Sequence, residues 1–120
     1  MSVGYTVEQR DGYAVVRVQG DPTLDEFIAF VDAMGVESKD WPTRRALFDL
    51  RNVRTLKSFT EHYAIGGAVV THLHHMEMVA SVVPADRITR ASEKRARQSG
   101  VNLSVFTSEG EAIAWLVTED

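Results

Sequence analysis

The chain has 120 residues, a formal net charge of −4, 44% hydrophobic and 25% charged residues, and no cysteine. This length suits one domain over residues 1–120, able to bury roughly two-thirds of its unfolded surface without a disulfide or metal staple. The missing cysteine excludes a disulfide scaffold, a thiolate metal site and a thiol nucleophile, and the acidic balance argues against general nucleic-acid binding.

"YTVEQR" (5–10) alternates as a strand, with Tyr5, Val7 and Gln9 on one face. Asp11-Gly12 is a strong hairpin signal, and "YAVVRVQG" (13–20) is the return strand. Thr23 and Glu26 have capping-box spacing. Phe27, Ile28, Phe30, Val31 and Met34 then recur at helical spacing, with Gly35 as an end signal. "RALFDL" (45–50) is a short apolar run bounded by charges, as in a buried parallel strand. Ser58 and Glu61 form a second capping box, opening a helix from about Phe59 to His72. Gly66-Gly67 inside it costs about 1 kcal/mol per glycine against alanine, which close helix–sheet packing would explain. "EMVASVV" (77–83) is a strand ended by Pro84. "ADRITRASEKRARQSG" is a polar helix with a narrow stripe, Ile88, Ala91 and Ala96, closed by Gly100. "NLSVFT" (102–107) is the last strand. Ser108 and Glu111 make a third capping box, and Ala112, Ile113, Trp115 and Leu116 face the core from the last helix.

The order is β-β-α-β-α-β-α-β-α, which implies an α/β fold: a mixed, mostly parallel five-stranded sheet with four helices and right-handed crossovers. "MSVGYTVEQRDG" lacks a basic-then-apolar leader, and no apolar run approaches the ~20 residues of a membrane span. A cytoplasmic location is the expectation.

This order, with "ALFDLRNV" (46–53), "MEMVASVVP" and "VFTSEGEAIAWL" (105–116), resembles the STAS-like, or SpoIIAA-like, superfamily over nearly the whole chain. The last stretch is similar to the ending of its "STAS/SEC14 domain" branch. The resemblance implies a non-enzymatic regulatory module that binds a protein partner, with no cofactor. The fold is shared with CRAL-TRIO lipid carriers, so a module for a small ligand or lipid is the alternative. In anti-sigma factor antagonists of the superfamily, Asp-Ser-Ser/Thr-Gly at a helix start carries a phosphorylated serine. Here "VRTLKSFTEH" has Ser58 at that place and Thr60 nearby, but Lys57 precedes Ser58 and no glycine follows. The phosphoswitch motif is therefore absent in its usual form, and Ser58 reads as a helix N-cap; a phosphorylation-switched antagonist, modified at Ser58 or Thr60, is the second alternative that the resemblance implies.

Ligands of open parallel sheets bind outside the carboxyl ends of the strands. Asp49, Arg51, Arg54, Lys57 and Ser58 lie there, and a helix N-terminus beside arginines suits a small anion or an acidic patch on a partner. "THLHHMEM" puts His72, His74 and His75 at a helix C-terminus, which favours positive charge. A zinc site needs three or four ligands converging from different elements. Only Glu77 is an obvious local carboxylate, so no metal is expected. Two enzyme constellations can be drawn, Asp21 with Asp49 around a shared metal and Ser58 with His62 as nucleophile and base; neither shows its supporting groups. A homodimer through the charge-poor 45–50 side is a further expectation.

Overall fold

The structure is a computed structural model that describes residues 3–87 and 91–118. Five strands form one sheet in the order β1-β2-β3-β4-β5: Val3–Arg10, Tyr13–Gly20, Arg45–Val53, Met78–Val82 and Leu103–Phe106. The opening pair is antiparallel, and the remaining pairs are parallel. Four α-helices follow the chain as α1 (Leu24–Glu37), α2 (Phe59–Leu73), α3 (Ala91–Gln98) and α4 (Glu109–Leu116). Gly12, at φ +90°, makes the turn of the expected hairpin.

Side-chain alternation along the strands sorts the core into two layers. Val16, Phe48, Val79 and Leu103 point to the face that holds α1, α2 and α3. Val15, Leu47, Ala80 and Val82 point to the face covered by Ala112 and Leu116 of α4. Strands β2 to β5 are added in one direction. Crossovers of one hand then place all three connecting helices on the same face, and the last helix closes the other.

Several boundaries and roles differ from the sequence reading. Strand β3 runs past Leu50 to Val53, and its pairing with β2 shifts register between Arg17 and Gln19. Gly35 does not end α1. It lies inside the helix, where an added Cβ would sit 2.5 Å from the His72 carbonyl oxygen, so it permits the close approach of α2. Gly66 serves helix–helix rather than helix–sheet packing: its Cβ would meet the Ser92 carbonyl oxygen of α3 at 2.6 Å. The polar helix is shorter than expected, with a 3-10 turn at Ala85–Arg87 before α3; Ile88 lies outside the described residues. Of the four residues expected to face the core from α4, Ala112 and Leu116 are buried while Ile113 and Trp115 are half-buried. The 45–50 segment is flanked by strands and covered on both faces, so it offers no open surface for a dimer.

Candidate functional site

The carboxyl ends of β2 and β3 carry a four-residue charge network on the α4 side. Asp49 is 4% exposed. Its Oδ2 accepts from Arg17 Nη1 at 2.9 Å, and its Oδ1 accepts from Arg51 Nε at 2.8 Å. Glu109, in the first turn of α4, accepts from Arg17 at 2.9 and 3.1 Å and from Arg51 Nη2 at 2.7 Å. Burial works to raise the Asp49 pKa, but the hydrogen bonds and charge of Arg51 and Arg17 outweigh it and hold the carboxyl below its usual value. Glu109 is also lowered, chiefly by its hydrogen bonds from Arg17. Arg51 is thus bound internally, which limits what it can offer an anion.

Arg54 is likewise engaged: Nε and Nη2 donate to Asp21 at 2.7 and 2.9 Å. Asp21 and Asp49 therefore answer to different arginines and share no metal position. Lys57 is exposed and has no internal partner among the described residues. Ser58 caps α2, accepting from Glu61 N at 3.1 Å and donating to Glu61 Oε1 at 2.9 Å, while that carboxylate accepts from Ser58 N. His62 Nε2 donates to the Leu56 carbonyl at 2.8 Å. Ser58 and His62 thus have separate partners and form no nucleophile–base pair. Thr60 is exposed.

Next to these residues is a feature the sequence reading missed. Phe59 and Tyr63, 62% and 43% exposed, stack with ring centroids 6.3 Å apart, and the Arg95 guanidinium of α3 lies 5.9 Å from the Tyr63 ring centre. The signal was present as an i,i+4 aromatic pair outside the buried stripe of Ala68, Val69 and Leu73. Large exposed aromatics beside cations are the composition of a protein-contact surface.

The three clustered histidines diverge. His72 Nδ1 lies 3.4 Å from Asp32 Oδ1, His74 Nδ1 faces the Thr71 carbonyl, and His75 Nε2 hydrogen-bonds Ser38 Oγ at 2.8 Å. No group of three metal-ligating side chains converges among the described residues. His75 is held neutral by burial first, then by nearby His74, Lys39 and Arg44. Its Nδ1 is buried without a partner. The C-terminal end of the helix thus accounts for only part of this cluster, since His75 is an uncharged packing residue.

Between the sheet and helices α1 to α3 lies an apolar void of about 50 Å³, lined by Phe27, Leu50, Leu56, Ile65, Ser81 and Val105 among others. A second void of about 30 Å³ shares Phe27, Leu50, Ile65, Val69 and Ser81 with it. No helix among the described residues is long and apolar enough to cross a membrane.

A SpoIIAA-like family model matches residues 13–117. No curated protein matches the chain. Among solved structures, an anti-sigma factor antagonist from Mycobacterium paratuberculosis is similar, with TM-score 0.69 and 19% identity over 98% of this chain and 96% of that one. A DUF3478-family protein with a SpoIIAA-like fold from Shewanella loihica PV-4 aligns with TM-score 0.60 and 14% identity, covering 96% and 93%. At these identities the likeness is one of fold.

Proposed function

From the premise that this chain belongs to the SpoIIAA-like family, we propose that it is a non-enzymatic, cytoplasmic regulatory module that binds a protein partner through the start of α2. The observation that carries this reading is the exposed Phe59–Tyr63 stack. Two aromatic rings in water at one helix end lose little conformational entropy on binding and bury much area, which is how contact hot spots are built. Lys57 and Arg95 beside them suit a partner whose apolar contact is rimmed by carboxylates. Within the surface expected from the Arg51–Ser58 loop to the start of α2, this puts the weight on the helix, because Arg51 and Arg54 already neutralise Asp49, Glu109 and Asp21. Their role for an external anion falls to Lys57.

The test compares wild type with Phe59→Ala/Tyr63→Ala and with Lys57→Glu as baits in lysate of the source cell, followed by binding of the recovered partner in purified form. Both variants are expected to lose most of the binding while melting as wild type does. Binding unchanged in the double variant overturns the surface. A second reading, a module for a small apolar ligand, is supported by the void beneath α1 and α2. Phosphorylation at Ser58 requires its capping hydroxyl to be released first; the Thr60 side chain has no such tie.

A further inference from the structure

We propose that Leu56 is a retractable stopper over a binding site for an unbranched hydrocarbon chain of medium length, a reading that rests on the apolar-ligand function given above. Leu56 is the one non-glycine residue with positive φ, at +66°, among the described residues. A leucine in that conformation is strained, and such strain persists only when the surroundings enforce it. The enforcement is visible on both sides. Arg54 N donates to the Gly20 carbonyl at 3.0 Å, Thr55 Oγ1 donates to the Pro22 carbonyl at 2.6 Å, and His62 holds the Leu56 carbonyl.

The strained residue delivers its side chain into the protein, where it is 7% exposed and forms part of the wall of the larger void. The two voids of about 50 and 30 Å³ share five residues and together run from the carboxyl ends of β3, β4 and β5 towards Phe30 and Leu73. They are too small for a ligand while Leu56 is in place. Once Leu56 returns to an extended backbone, its side chain leaves and a hydrocarbon chain takes the vacated room along with both voids. The exchange is balanced: apolar area exposed on Leu56 is replaced by apolar area buried on the ligand, and the backbone strain is relieved. Lys57, the next residue, stands exposed at the rim for an anionic end.

The probe is sodium octanoate, titrated below its micelle concentration and followed by backbone amide shifts. Wild type should bind weakly, with shifts gathered at Leu50, Ile65, Val69 and Ser81. Leu56→Gly, which is unstrained at positive φ and leaves nothing to displace, should bind at least tenfold tighter. Where glycine loosens the loop, Leu56→Asn gives the same readout, since asparagine also tolerates this conformation. Ser81→Ile, which fills the wall common to both voids, should lose binding while its thermal melt remains cooperative. Equal affinity in wild type and Leu56→Gly overturns the stopper and leaves the ligand site standing. No binding by any folded variant overturns both. Shifts confined to Phe59 and Tyr63 report surface association and overturn both as well. A parallel sedimentation with phosphatidylglycerol vesicles separates the two sources of such a chain: greater capture of Leu56→Gly than of wild type identifies membrane acyl chains, and octanoate binding without vesicle capture identifies free acids.

Discussion

Arg17 on β2 grips Glu109 at the start of α4 through two parallel bonds, Nη1 to Oε1 at 2.9 Å and Nη2 to Oε2 at 3.1 Å, and the same Nη1 reaches Asp49 Oδ2 at 2.9 Å. One guanidinium therefore joins the sheet to α4, the only helix on its second face among the described residues. The bidentate geometry is the strong form of an ion pair. Arg17 also shares Asp49 and Glu109 with Arg51, so the four charges work as a unit.

Removing the grip should cost more than removing a surface pair. Arg17→Met strips a buried carboxylate of one of its two arginines and frees Glu109 from its bidentate contact. Arg17 is 42% and Glu109 24% exposed, so solvent screens part of the loss. A destabilisation of about 1–2 kcal/mol is expected for these charge-assisted bonds. Arg54→Met, which breaks a pair exposed at 74% and 52% and screened by solvent, should cost clearly less than Arg17→Met. Urea unfolding of the two variants beside wild type checks the order; equal costs would show that the network adds nothing beyond an exposed pair.

The same network sets an acid limit. Asp49 and Glu109 both titrate below their ordinary values in the folded protein. Each contribution is therefore complete above the unfolded carboxyl pKa, about 4, and is lost as pH falls through the lowered folded values. Wild type should lose stability steeply below about pH 4. Asp49→Asn, unable to titrate, should start less stable and lose less over that interval. Urea midpoints at pH 5, 4 and 3 give the slopes, and parallel slopes would sink the assignment to Asp49.

How far the sequence foretold these features depends on the range of the interaction. The strands "YTVEQR", "YAVVRVQG" and "NLSVFT", Gly12 in the hairpin turn, and the Thr23/Glu26 and Ser58/Glu61 caps are local, and all appear in the fold. The third expected box is only half formed: Ser108 accepts from Glu111 N without the return bond. What escaped was set by distant partners. Arg51 and Arg54 look like free cations until the fold brings up Glu109 and Asp21, 58 and 33 residues away. Gly35 looks like a helix end because nothing local shows that His72 presses on it. Phe59 and Tyr63 read as ordinary helix residues, since an aromatic carries no sign of whether anything covers it.

His75 should make the protein sensitive to mild acid, well above the carboxylate range. Burial holds it neutral in the folded state, so its folded pKa lies below the ordinary value of about 6.5. Below that pH the unfolded chain takes up a proton that the folded chain resists. Stability is therefore whole above about pH 6.5 and declines as pH falls beneath it. The protonated ring carries N–H on both nitrogens, and Nδ1 is buried without an acceptor. His75→Gln should lower the melting temperature at pH 7.5 but flatten its fall between pH 7 and pH 5.5. An unchanged fall in the variant would assign the effect to another group.

The adjacent glycines of α2 should respond oppositely to the same substitution. At Gly67 an added methyl meets only Arg95 Nε, at 3.9 Å, an ordinary van der Waals contact. Gly67→Ala therefore gains helix propensity with nothing to displace, and should stabilise by about 0.5–1 kcal/mol. At Gly66 the methyl would lie 2.6 Å from the Ser92 carbonyl oxygen and 2.9 Å from Arg95 Cβ, both of α3. Backbone on one side and a buried helix seam on the other leave no rotamer to give way. Gly66→Ala should cost about 1–3 kcal/mol through overpacking, despite the same gain in propensity. Because α3 must move away from α2 to admit the methyl, the loss should come with weakened amide protection in Ala91–Gln98 more than in α1. Chemical denaturation ranks the two variants, and hydrogen exchange locates the strain. A Gly66→Ala protein as stable as Gly67→Ala would mean that α2 and α3 are not locked at this crossing.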